Sequence, residues 1–122
     1  MKALAVFYIF VALLLVYRTT IFAQAAEKVA PDKVKVLFEN EKVKVLDFTI
    51  KPGEETGMHS HPNYLVYFFT DGKMQITLPD GESSESEVKV GDVRWSDAVT
   101  HNNINIGKTE SHAIVIELKN PE

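Results

Sequence analysis

From Val34 to Leu118 the chain runs in short stretches of alternating apolar and polar residues, the period-two pattern of half-buried strands. Val34, Val36 and Phe38 alternate with Lys35, Leu37 and Glu39. After a tight Glu39-Asn40-Glu41 link, Val43, Val45, Asp47 and Thr49 alternate with Lys44, Leu46, Phe48 and Ile50. Tyr64 to Phe69 is apolar on both faces, as expected of a strand inside a sandwich. Lys73 to Leu78 alternates between two hairpin signals, Asp71-Gly72 and Asp80-Gly81. Pro52-Gly53 and Gly91-Asp92 mark further turns, Glu82 to Glu87 reads as a solvated edge, and Ala113 to Leu118 closes a sheet. There is no helical period of useful length. Roughly nine short strands with regular turns predict an all-β fold, a β-sandwich or jelly-roll barrel.

The first 25 residues follow different rules. Ala3 to Tyr17 is an unbroken apolar run of 15 residues behind Lys2, short for a membrane span of ~20 and suited to a signal-peptide core. Ala23-Gln24-Ala25 supplies the small-x-small cleavage pattern. Residues 1–25 therefore read as a signal peptide cleaved after Ala25, with an uncleaved signal anchor as the alternative, since Arg18 directly follows the apolar run. Residues 26–32 read as a polar, mobile leader, and residues 33–119 as the domain. The expected location is exported, periplasmic or secreted, with no stable membrane span once cleavage has occurred.

Cleavage removes Lys2 and Arg18 from the 13 basic residues, so 11 remain against 17 acidic ones, a net charge of −6. An acidic chain without a basic cluster or a basic-aromatic stripe is a poor nucleic-acid binder. With no cysteine, thiol nucleophiles, zinc ribbons, iron–sulfur ligation and a disulfide framework are all excluded.

The chemistry-bearing residues are histidines. His59 and His61 are two apart, so on a strand they share one face with Cα atoms roughly 6.6 Å apart. Neutral imidazole is the commonest ligand for zinc, iron, copper and nickel. His101 stands in a second turn-bounded segment, GDVRWSDAVTHNNIN, while His112 lies apart. Glu54 and Glu55 are upstream acids within reach of the pair, and Met58, Tyr64, Tyr67, Phe69, Met74, Ile76 and Trp95 are candidates for pocket walls.

These segments resemble the two motifs of the cupins. Gly53, His59, His61 and Gly72 fall at the spacings of the first motif, whose glutamate position falls on Leu65, with Val66 as the neighbouring choice. Gly91, His101 and Asn105 match the second, with Asp97 and Val99 where proline and glycine are usual and one residue fewer before His101. The resemblance implies a single double-stranded β-helix, the jelly-roll or cupin barrel. It also implies a divalent metal (Fe, Zn, Mn, Cu or Ni) held by His59, His61 and His101, a three-histidine variant of the usual site. Tyr64 and Trp95 would border a small-molecule ligand, and Asn105 would support the ligands or hold a loop. Some three-histidine cupins are dioxygenases, so one implied function is oxygenation of a small anionic substrate. The alternative is a non-catalytic module that binds metal or ligand, or serves structurally. A homodimer paired through its sheets is also implied.

Overall fold

The computed structural model describes residues 24–119. Most of the expected signal peptide, including its apolar run, lies outside them. The described residues form one helical turn, α1 (Ala26–Val29), and nine strands. These are β1 (Val34–Glu39), β2 (Val43–Ile50), β3 (His59–His61), β4 (Tyr64–Phe68), β5 (Gly72–Thr77), β6 (Ser83–Val88), β7 (Val93–Ser96), β8 (Val99–Asn105) and β9 (Ser111–Leu118). They build a five-stranded sheet, β1-β2-β9-β4-β7, facing a four-stranded sheet, β3-β8-β5-β6. All strand pairs are antiparallel.

Alternation sets what each sheet turns inward. In β2, Leu46, Phe48 and Ile50 are buried, and in β9 it is Ser111, Ala113, Val115 and Glu117. The β2–β9 register is unbroken from Val43↔Leu118 to Ile50↔Ser111, which aligns these inward residues across the sheet's centre. Pro62 and Asn63 make a bend at which the chain leaves the small sheet after β3 and enters the large one at β4. Inward residues of β4 are therefore Tyr64, Val66 and Phe68. The serine- and glutamate-rich β6 is the exposed edge of the small sheet, as its composition requires.

The leader differs from the sequence expectation. Residues 26–32 are not a free spacer: Ala26 and Ala30 are buried in the core cluster, and Glu27 pairs with Lys44 of β2. Two small alanines on one turn present enough apolar surface to dock, a signal too short for any helical period to reveal. Gly57 makes this docking fit: it has φ +83°, and a Cβ there would stand 3.0 Å from Val29 Cγ1. Among the described residues no helix is long and apolar enough to cross a membrane.

The outer face of the large sheet carries an apolar patch beside Asp47 and His112. Register places Val45, Ile116, Leu65 and Trp95 in one row across four strands, with Ile114, Tyr67 and Val93 in the next. Trp95 and Val93 are more than half exposed at its rim.

Candidate metal centre

His59 and His101 face each other across the β3–β8 ladder, and His61 follows His59 on the same face. All three are buried, and one ligand nitrogen from each lies within 4.8 Å of the others. The triangle thus needs only two neighbouring strands, an i, i+2 pair on one and its cross-strand partner on the other.

Hydrogen bonds fix how the rings present themselves. The Gly57 carbonyl can only accept, so His59 Nδ1–H donates to it at 2.7 Å. His61 Nδ1–H donates to Glu117 Oε1, also at 2.7 Å. In their neutral forms both rings therefore turn an unprotonated Nε2 inward, and these two atoms are 3.0 Å apart. Two lone pairs at that separation repel, and a cation between them removes the repulsion. Donors bound to one ion at about 2.0–2.1 Å stand roughly 2.9–3.4 Å apart for angles between right-angled and tetrahedral, and the observed spacing fits.

Burial keeps His59 and His101 neutral. It pushes the His59 pKa down to about 4, with the Gly57 hydrogen bond opposing and His61 assisting. It pushes His101 down to about 3, helped by any positive charge on His59 and His61. Phe48 stands 6.2 and 5.9 Å from the rings of His59 and His61, and supplies the apolar side of this environment.

A cavity of about 320 Å³ adjoins the cluster between the sheets. His61, Tyr64, His101 and Asn103 are polar groups on its wall, and Phe48 and Val66 are among its apolar ones. The Tyr64 ring lies 4.6 Å from that of His61, and burial raises its phenol above the usual tyrosine value. Trp95 also borders the cavity. Its register partner is Leu65, however, so its ring stands on the outward parity, half exposed, with the indole N–H given to Asp97. Asn105 is fully buried and holds backbone: it donates to the Ile50 and Thr109 carbonyls and accepts from Gly107 N–H. These bonds tie the loop after β8 to the end of β2.

The structure sorts the remaining sequence candidates, correcting some and agreeing with others. The glutamate position of the first motif, placed on Leu65 by spacing, is not the inward one: Leu65 points to the outer face, and the inward neighbour is Val66, the other choice. Pro62 resets the strand parity, which the motif spacing alone leaves open. Met58, Tyr67 and Phe69 are exposed and lie off the cavity wall, whereas Met74 and Ile76 line it. Glu54 pairs with Lys33, and Glu55 accepts from Asn102, so neither joins the cluster. His112 is outside it, bonded to Asp47 and stacked on Phe69.

Glu117 is the functional residue that sequence reading missed. It is 5 % exposed, sits opposite Tyr64 in the β4–β9 register, and is bonded directly to a histidine of the cluster. The available signal was the acid itself: a lone carboxylate in an otherwise apolar strand requires a partner wherever it is buried.

The cupin-domain family model matches residues 46–117. A solved cupin domain from Bordetella pertussis Tohama I is 36% identical, with a TM-score of 0.66, covering 71% of this chain and 92% of that one. An RmlC-like cupin family protein with a double-stranded β-helix fold, from Methanocaldococcus jannaschii, is 21% identical with a TM-score of 0.57, covering 70% and 77%. A Bacillus halodurans protein is 17% identical with a TM-score of 0.59, covering 87% and 86%. No protein with a curated description matches. The facing sheets, the two-strand histidine triangle and the family match over nearly all of the barrel lead to one classification: the chain belongs to the cupin-domain family.

Proposed function

We propose that this cupin is exported, binds one divalent metal ion through His59, His61 and His101, and uses it to hold a small anionic molecule in the adjoining cavity. The observation that carries the reading is the pair of inward Nε2 lone pairs 3.0 Å apart, each fixed by an Nδ1–H bond on the far side of its ring. A bound divalent ion supplies Lewis acidity and, where it is iron(II), the capacity for dioxygen chemistry, so oxygenation of the bound molecule is the reaction that fits best.

The chain's own residues set the conditions. Three neutral imidazoles leave the ion's charge uncompensated among its direct ligands, which favours an anionic ligand. Glu117 returns one negative charge from behind His61 without occupying a coordination position. Phe48, Val66 and Val115 make much of the cavity wall apolar. The buried Tyr64 ring packs beside His61, and its hydroxyl stays protonated.

The test is metal analysis of protein taken from the exported fraction. Its mass should correspond to a start at Ala26, and each chain should carry about one equivalent of a transition metal. His101→Ala should carry almost none and His112→Ala the full amount. His101 is the better target than His61, whose removal would strand the Glu117 carboxylate in the core. Equal metal content in wild type and His101→Ala would defeat the proposal.

The assembly proposed is a homodimer through the outer face of the large sheet. The Val45–Ile116–Leu65–Trp95 row is wide, apolar and continuous, and a single barrel has no use for it. Leu65→Glu should shift sedimentation from dimer to monomer while leaving metal content unchanged. A wild type that sediments as a monomer at high micromolar concentration would rule the dimer out.

A further inference from the structure

Asn103 lies two residues beyond His101 on β8 and lines the same cavity. Its Oδ1 is buried and has no hydrogen-bond partner among the described residues. Its Nδ2 lies 3.5 Å from His101 Nε2, at the outer limit of a hydrogen bond. Neither end of this amide is well satisfied by protein. Neighbours on the same strand differ: Asn102 accepts from Gly57 N–H and donates to Glu55, and Asn105 makes three backbone bonds.

A buried amide carbonyl without a partner destabilises a fold, and such groups in folded proteins usually await an ion, a water or a ligand. The two ends of a carboxamide have nearly the same shape, so a half-turn about its last bond exchanges oxygen for nitrogen at little cost. With Nε2 of His101 as the donor, that exchange sets the amide oxygen 3.5 Å from a metal-binding nitrogen. Neighbouring ligands on one ion stand roughly 2.9–3.4 Å apart, and the Asn103–His101 separation lies just outside that range.

We infer that Asn103 is the fourth protein ligand of the metal centre, donating its carboxamide oxygen. The inference rests on the three-histidine reading above. It divides between two residues what one carboxylate ligand would supply: the negative charge comes from Glu117 behind His61, and the oxygen donor from neutral Asn103. A weak, neutral oxygen ligand is readily displaced, so the position it fills is also the one an incoming anionic molecule would contest.

The experiment compares full-length wild type with Asn103→Leu, Asn103→Asp and His101→Ala, using cobalt(II) as the probe. Asn103→Leu should bind cobalt about tenfold more weakly, with stronger visible d–d bands, as expected when coordination number falls. Asn103→Asp should bind more tightly than wild type. After chelator treatment, Asn103→Leu should unfold at a higher denaturant concentration than wild type, because the unpartnered amide is gone. A purely structural asparagine would show the reverse, a lower midpoint with unchanged cobalt affinity and spectrum. That result, alongside lost binding in His101→Ala, overturns the Asn103 assignment and leaves the three-histidine site standing. A wild type that binds no cobalt overturns both.

Discussion

Glu117→Gln should weaken metal binding by about 10- to 100-fold without disturbing the barrel. The substitution keeps the size of the side chain and its ability to accept from His61 Nδ1–H, now 2.7 Å from Oε1. What it removes is charge. A carboxylate behind an imidazole raises the basicity of the opposite nitrogen and fixes the ring's tautomer, and both effects favour metal at Nε2. The pair is almost fully buried, with side-chain exposures of 2 % for His61 and 6 % for Glu117, so solvent screens the interaction little. Titration against a chromophoric chelator measures the affinity, and an unchanged near-ultraviolet circular dichroism spectrum certifies the fold. Wild-type affinity in Glu117→Gln would mean that Glu117 only fills space.

This acid also marks the boundary of what the sequence discloses. The three histidines were legible because their relation is local: His59 and His61 share a face by strand parity, and His101 sits at a recognisable distance from Gly91. Glu117 lies 56 residues from His61, and the two meet only across the facing sheets, His61 on β3 and Glu117 on β9 opposite Tyr64. The strand that carries it, AIVIEL, has apolar residues on both faces, because one faces the core and the other the apolar outer surface. That hides the inward parity. Leu65 was misplaced for a related reason. A bend at Pro62 breaks the count from His61, so the same spacing fits Leu65 outward or Val66 inward. The leader was misread because one helical turn has too few residues for periodicity to register. Asn103 was hidden in the run HNNIN, where three asparagines look alike until their partners are known. The barrel itself was legible from β2, whose inward Leu46, Phe48 and Ile50 announce one buried face, and from turns at Gly53, Gly81 and Gly91, all with positive φ.

The largest expected effect is on stability below neutral pH. In the unfolded chain a histidine takes up its proton near pH 6.5. In the fold, burial holds His59 near 4 and His101 near 3. Between these values the unfolded state binds more protons, so stability is full above about pH 6.5 and falls as the pH drops. Each histidine contributes at most about 1.4 kcal/mol per pH unit, so the two together cost at most about 4 kcal/mol by pH 5. The window from pH 6.5 to 5 is chosen because most carboxylates have not yet titrated there. Chelator-treated protein should therefore show a denaturant midpoint that declines steadily across it, and His101→Leu should flatten the decline by about half. Saturating metal should raise the upper part of the curve by about 2.7 kcal/mol at a hundredfold excess over Kd. That gain should vanish toward pH 5, as protons compete for the same nitrogens. His112→Leu, which alters a partly exposed ring bonded to Asp47, should leave the metal-dependent gain and its loss intact. A chelator-treated wild type whose midpoint does not change between pH 6.5 and 5 would show that His59 and His101 are protonated within the fold. The buried, neutral, metal-ready cluster would then have to be abandoned.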